Sequence, residues 1–153
     1  EGMSPISFSC YRGNHEIVAA LVAANPYPNF FESVTIGNLE RVRSLLTRQP
    51  ANINNYSRDG YTALQLASFF GHKEVVRLLL AQGGDPRSVS HNAMQIQPLH
   101  AAVAARNPEI VADLVAAGAD VNARQQDDYT PLMAAIQNGD DEIVRLLKEA
   151  GAQ

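Results

Sequence analysis

The sequence has little of what would support a disulfide, a thiolate metal site or a membrane span. Cys10 is the only cysteine among 153 residues, which excludes an internal disulfide and a cage of thiolate ligands. The longest purely apolar run, residues 17–24, is far shorter than the roughly 20 residues that a membrane-spanning helix needs. Basic residues are also few, and the net charge of −4 argues against nucleic acid or an anionic membrane surface as the main partner. We therefore expect neither partner, and we expect a cytoplasmic protein.

The sequence also lacks a recognisable set of catalytic or metal-binding residues. It contains four histidines but no His-x-x-x-His or Cys-x-x-Cys pair, so a zinc site is not predicted. The acidic run at residues 140–142 precedes an apolar helical pattern, where carboxylates favour the helix dipole more readily than they hold a cation. No group of residues combines a nucleophile, a base and an oxyanion donor. We predict a protein without enzyme activity, metal or cofactor.

What the sequence does contain is a repeated segment. Residues 59–67 (DGYTALQLA) return in altered form at 97–102 (QPLHAA) and at 129–135 (YTPLMAA), and a degraded copy stands at 2–7. Each copy precedes a second pattern with apolar residues at i, i+1, i+4 and i+5, which gives one apolar helical face. Helices this short are marginal alone and need neighbours. A period near 33 residues predicts a stack of helix pairs.

The alignment of these copies predicts ten helices. Residues that end the first helix of each pair are spaced by 24, 34, 35 and 33 positions, at Gly13, Gly37, Gly71, Arg106 and Gly139. Thr62 and Thr130 are predicted N-caps, and Pro5, Pro98 and Pro131 suit a first helical turn. We predict first helices near 5–12, 29–36, 63–70, 98–105 and 131–138, and second helices near 15–24, 39–48, 73–82, 108–117 and 141–150.

These motifs resemble the ankyrin repeat over essentially the whole chain. The segments that carry the resemblance are 97–102 (QPLHAA), 71–80 (GHKEVVRLLL), 117–123 (AGADVNA) and Thr130-Pro131-Leu132. The resemblance implies an all-α solenoid of stacked helix-turn-helix repeats with short β-hairpin fingers, without catalytic activity or cofactor. It also implies that His72 and His100 serve structure. We predict one domain, 1–153, with modules near 1–27, 28–56, 57–91, 92–124 and 125–153.

Two departures from the regular repeat predict local differences. The 24-residue spacing leaves no room for a finger, so the junction at residues 25–29, which contains two prolines, should lack one. The segment 88–96 has two extra residues and should form a longer finger. These irregularities favour a natural sequence over a consensus-designed one. The chain opens at Glu1-Gly2-Met3, in the turn that precedes a module, so we expect it to begin inside a longer protein.

In proteins that resemble this one, the fingers and the exposed edges of the first helices bind other proteins. Carried over residue by residue, this surface gives ten candidate contact residues: Tyr11, Arg58, Asp59, Tyr61, Phe69, Phe70, Met94, Ile96, Asp127 and Tyr129. Aromatic side chains and Met suit an interface core, which favours Tyr61, Phe69, Met94, Ile96 and Tyr129 as the central patch. For Phe70, packing in the core is the open alternative.

Three functions are compatible with the sequence. The first is a non-enzymatic module that binds another, unidentified protein. The second is a regulatory or targeting domain of a larger protein. The third is a scaffold that self-associates through an uncapped N-terminal module, although a monomer is our main expectation.

Overall fold

The computed structural model describes residues 3–153, and within that range the chain forms five helix pairs. The predicted helices are confirmed, and their observed ends differ from the expected ones by one residue at most. The predicted turn at Glu1 and Gly2 lies outside the described residues. The helices are α1 Pro5–Tyr11, α2 His15–Ala24, α3 Phe30–Thr35, α4 Leu39–Arg48, α5 Ala63–Phe69, α6 Lys73–Ala81, α7 Pro98–Ala104, α8 Pro108–Ala116, α9 Pro131–Asn138 and α10 Asp141–Glu149.

Side chains and prolines set the helix starts where the sequence indicates them. The Thr62 hydroxyl accepts a hydrogen bond from Gln65 N at 3.3 Å, and the Thr130 hydroxyl accepts one from Met133 N at the same distance. These bonds satisfy amide groups that have no partner inside the helix. Pro5, Pro98 and Pro131 each occupy the first helical position. Local chemistry therefore stabilises these helix starts.

The core lies between the two rows of helices. The first helices stack in the order α1, α3, α5, α7 and α9, and α4, α6, α8 and α10 stack beside them. Repeated apolar positions fill the space between the rows, which joins the modules into one continuous core: Leu64, Leu79, Leu99, Ile110, Leu114, Ile143 and Leu147. By contrast, α2 has no buried residue. No residue of α2 therefore belongs to the continuous core.

The fingers are tight turns with little regular strand. Finger 1 (residues 56–62) has one isolated antiparallel bridge, between Tyr56 and Thr62. Finger 2 (88–97) and finger 3 (124–130) have no assigned strand. A backbone bond joins the two sides of each finger: Ser57 N to Tyr61 O, Ser90 N to Ile96 O, and Gln125 N to Tyr129 O, at 2.8, 2.8 and 3.0 Å. The all-α repeat solenoid is thus present, and its fingers are turns in which a single isolated bridge is the only strand-like pairing within residues 3–153.

The two predicted irregularities are present. The chain passes from α2 to α3 through residues 25–29 without a finger, and finger 2 closes over two more residues than finger 1. None of the helices within residues 3–153 combines the length and apolar character that a bilayer crossing requires.

Candidate functional site

A pocket of about 220 Å³ opens between the first helices and the fingers, and we call it the aromatic pocket. Five of the ten candidate contact residues line it: Tyr11, Tyr61, Phe69, Met94 and Ile96. They come from α1, finger 1, α5 and finger 2. The stack therefore brings together side chains that are far apart in the sequence.

The hollow follows from small residues in α7. In the register of the repeat, Ala101 and Ala104 of α7 correspond to Leu66 and Phe69 of α5, and all four line the aromatic pocket. Because α7 has two methyl groups where α5 has two large side chains, a space is left beside α7. The larger residues of α5 and the fingers surround this space. Sequence reasoning did not predict the hollow, although a column-by-column comparison of the first helices could have shown the change in size.

An aromatic cluster forms the N-terminal wall of this pocket. The Tyr11 ring lies 5.8 Å from the Phe69 ring and 5.0 Å from the Phe70 ring, and the two phenylalanine rings are 5.2 Å apart. Phe69 is 41% exposed, whereas Phe70 is half-buried and packs against the core. Phe69 can therefore touch a partner directly, while Phe70 supports the cluster from beneath.

A hydrogen bond to Asp59 holds the Tyr11 side chain in this wall. The Tyr11 hydroxyl donates to Asp59 Oδ2 at 3.3 Å, and Ser57 donates to the other carboxylate oxygen. Burial of the phenol and the neighbouring Asp59 charge raise the Tyr11 pKa well above its ordinary value. The contact joins residues 48 positions apart, from α1 to finger 1. Because no finger follows α2, α1 and finger 1 can meet in this way.

Gln65 fixes the position of finger 2 beside the pocket. Its side-chain nitrogen donates to Ser88 O at 2.9 Å and to Ile96 O at 3.0 Å, and its oxygen accepts from Thr62 N at 2.8 Å. The side chain is buried, and its bonds to Thr62 N and Ser88 O form away from water. Gln65 is thus a positioning residue for Ile96, and the sequence analysis did not identify it.

Three of the four histidines make structural contacts, whereas His15 is exposed. His100 stands in the register of Gln65, and its Nε2 lies 3.3 Å from Tyr129 O on the next finger, as expected. Burial lowers the His100 pKa, which keeps the ring neutral. His72 Nε2 lies 2.9 Å from Thr35 O in the preceding module, and the His91 ring stacks on Tyr56 at 3.6 Å between centroids.

No metal-binding or activated nucleophilic group is apparent within residues 3–153. This part of the chain has no group of three or more His, Cys, Asp or Glu residues placed to hold an ion. Cys10 is half-buried, and burial raises the pKa of its thiol, which disfavours the reactive thiolate.

The remaining candidate residues lie outside the aromatic pocket. Arg58 and Asp59 line a second opening on the N-terminal side of finger 1. Asp127 and Tyr129 lie on finger 3, where Asp127 is exposed with φ of 61° and the Tyr129 hydroxyl donates to Gln137. Five of the ten residues therefore line one pocket, Phe70 packs against the core beside it, and the other four form two flanking groups.

Comparison with known proteins adds a family match. A family model described as "Ankyrin repeats (3 copies)" matches residues 1–89, 30–125 and 90–153. The mouse protein named serine/threonine-protein kinase TNNI3K is 30% identical over 159 residues, which cover 96% of this chain and 16% of that protein. The mouse ankyrin repeat and SAM domain-containing protein 6 is 33% identical, over 78% of this chain and 14% of its own length. The human transient receptor potential cation channel subfamily A member 1 is 24% identical, over 99% and 15%. The chain thus spans about one sixth or less of these relatives.

Proposed function

The chain belongs to the ankyrin repeat family, and on this premise we propose that it is a non-enzymatic module that binds another protein through the aromatic pocket and the adjoining fingers. Ankyrin repeats generally serve as protein–protein interaction modules. The observation that carries the proposal for this chain is the convergence of Tyr11, Tyr61, Phe69, Met94 and Ile96 on one pocket.

The size and lining of the pocket support one large apolar side chain as its occupant. Its volume of about 220 Å³ exceeds the roughly 150 Å³ of an apolar cavity known to hold benzene. Phe69 and Met94 are exposed at the pocket, 41% and 46% respectively, so a partner would remove both from water. Aromatic and Met side chains around a central hollow are typical of interface cores.

The test is capture of binding proteins by the 153-residue chain, followed by calorimetry with each purified partner. Phe69→Ala and Met94→Ala should each weaken binding about tenfold or more, because central contacts carry most of the binding energy. Ile136→Ala is the matched control, since Ile136 is 58% exposed and lies outside the pocket. Equal affinity for the wild type and both pocket variants would refute the site. Turnover of a substrate by the purified chain would refute the non-enzymatic assignment.

Two alternatives have their own support. The chain covers only a small part of the length of each relative. This favours a regulatory or targeting domain within a larger protein. The exposed α2, in which Ile17 is 48% exposed, favours self-association of a scaffold. Sedimentation at two concentrations separates the scaffold from the monomer that we propose, and expression with a fluorescent tag tests the proposed cytoplasmic location.

A further inference from the structure

A second opening, of about 650 Å³, lies on the N-terminal side of finger 1. Met3 and Ser4 flank it on one side, Tyr56 and Arg58 flank it on the other, and Phe31 of α3 contributes to its lining. A regular repeat would place a finger before α3 here, but residues 25–29 run directly into the helix. We call this opening the finger gap.

The two later fingers show how neighbouring fingers pair. In finger 2 and finger 3, the donors of the bond across the finger are Ser90 N and Gln125 N. In each case the next residue donates a backbone hydrogen bond to the preceding finger. His91 N donates to Gly60 O at 2.8 Å, and Gln126 N donates to Met94 O at 3.1 Å. Backbone pairing from tip to tip thus recurs along the stack, although finger 2 is longer than finger 1.

Arg58 occupies the corresponding position in finger 1. It follows Ser57 as His91 follows Ser90, and it lines the finger gap. Within residues 3–153, no protein atom accepts a hydrogen bond from Arg58 N. The Arg58 N–H, which is equivalent to the donors that join the later fingers, therefore lies at a groove in which residues 3–153 place no finger.

Three charged side chains line the finger gap, and Arg58 is the cationic one that could pair with an acidic group. The Asp59 carboxylate already accepts from Tyr11 and Ser57, and the Glu32 carboxylate accepts from Asn29 N at 3.0 Å. The exposed Arg58 side chain forms no ion pair with the residues that the structure describes. Of the charged side chains lining the gap, the guanidinium is the one that stays available.

We propose that the finger gap docks a turn-forming segment of another protein. This segment supplies a main-chain carbonyl to Arg58 N–H and an acidic side chain to the Arg58 guanidinium, and it packs against Phe31 and Met3. It takes the position of the finger that the repeat omits before α3. The groove lies beside the aromatic pocket and shares none of its lining residues.

The probe is an end-blocked synthetic peptide, Tyr-Ser-Arg-Asp-Gly-Tyr-Thr, which copies residues 56–62, the turn that accepts the bond from His91 N. Its binding is followed by amide chemical shifts of the ¹⁵N-labelled chain. Arg58→Ala removes the charge and keeps the N–H, and it should weaken binding about twofold to fivefold. Arg58→Pro removes both, and it should weaken binding about tenfold. Proline suits this second turn position, because Gly60 N closes the turn on Ser57 O at 3.0 Å.

Gln126→Pro is the matched control. It removes the equivalent N–H from finger 3, where that group already donates to Met94 O. It should leave peptide affinity unchanged, and the helical circular dichroism of all variants should match the wild type. The proposal is supported if shifts centre on Arg58 and affinity falls in the stated order. It is overturned if the wild type does not bind millimolar peptide, if Arg58→Pro binds as the wild type does, or if shifts appear only around Phe69. It is also overturned if sedimentation shows that the peptide displaces a second copy of the chain.

Discussion

Replacing Gly60 by alanine tests whether contact between fingers contributes to the stability of the stack. Gly60 has φ of +84°, and a Cβ at this position would lie 2.7 Å from His91 O and 2.8 Å from its carbonyl carbon. Left-handed backbone costs an alanine about 1–2 kcal/mol. The close contact also forces finger 2 to move, which breaks the bond from His91 N to Gly60 O, worth about 0.5–1.5 kcal/mol. We expect Gly60→Ala to lower the free energy of unfolding by about 1.5–3.5 kcal/mol.

Gly83→Ala is the matched control for this experiment. Gly83 has a similar φ of +92°, but a Cβ there would meet no atom within 4 Å. Its cost should be the backbone term alone, about 1–2 kcal/mol. Equilibrium urea unfolding, followed by helical circular dichroism, measures both variants against the wild type. Equal losses for the two variants would show that the contact between fingers adds nothing, and the reasoning would fail.

Three further changes have defined outcomes. Gln65→Leu should lower the free energy of unfolding by about 2 kcal/mol or more, because it leaves the buried Thr62 N and Ser88 O without partners; urea unfolding with a smaller loss would argue against this role. Above pH 10 the unfolded chain ionises Tyr11 while the folded chain, with its raised pKa, does not. Stability should therefore fall as pH rises past 10, and less steeply in Tyr11→Phe; equal slopes in thermal melts would contradict the raised pKa. Cys10 should react with iodoacetamide slowly until urea is added, because burial raises its pKa, and mass spectrometry would reveal a fast reaction.

The helix boundaries could be predicted because their causes are local. Thr62 and Thr130 cap helices with their own side chains, and Pro131 can occupy only the first turn of a helix. Gly83 and Gly118 follow helices with positive φ, a conformation for which glycine pays no steric cost. Such signals act within a few residues, so one sequence was enough to reveal them.

The candidate site could be predicted only in part. The repeat register assigned Tyr61, Phe69, Met94 and Ile96 to one surface, because equivalent positions of a stack face the same way. It did not reveal that Gln65 holds finger 2 in place through three hydrogen bonds. Whether a glutamine side chain reaches two carbonyls 23 and 31 residues away depends on the distance between modules.

The sequence by itself determined the repeat, the helix ends, the missing finger before α3 and the longer finger 2. These follow from periodicity and from local backbone preferences. Only the tertiary structure decided that α7 leaves a hollow beside Phe69, that Tyr11 reaches Asp59, and that Arg58 N–H lies at an open groove. Each of these depends on side chains and backbone groups from different modules, whose separation is set by packing across the whole stack.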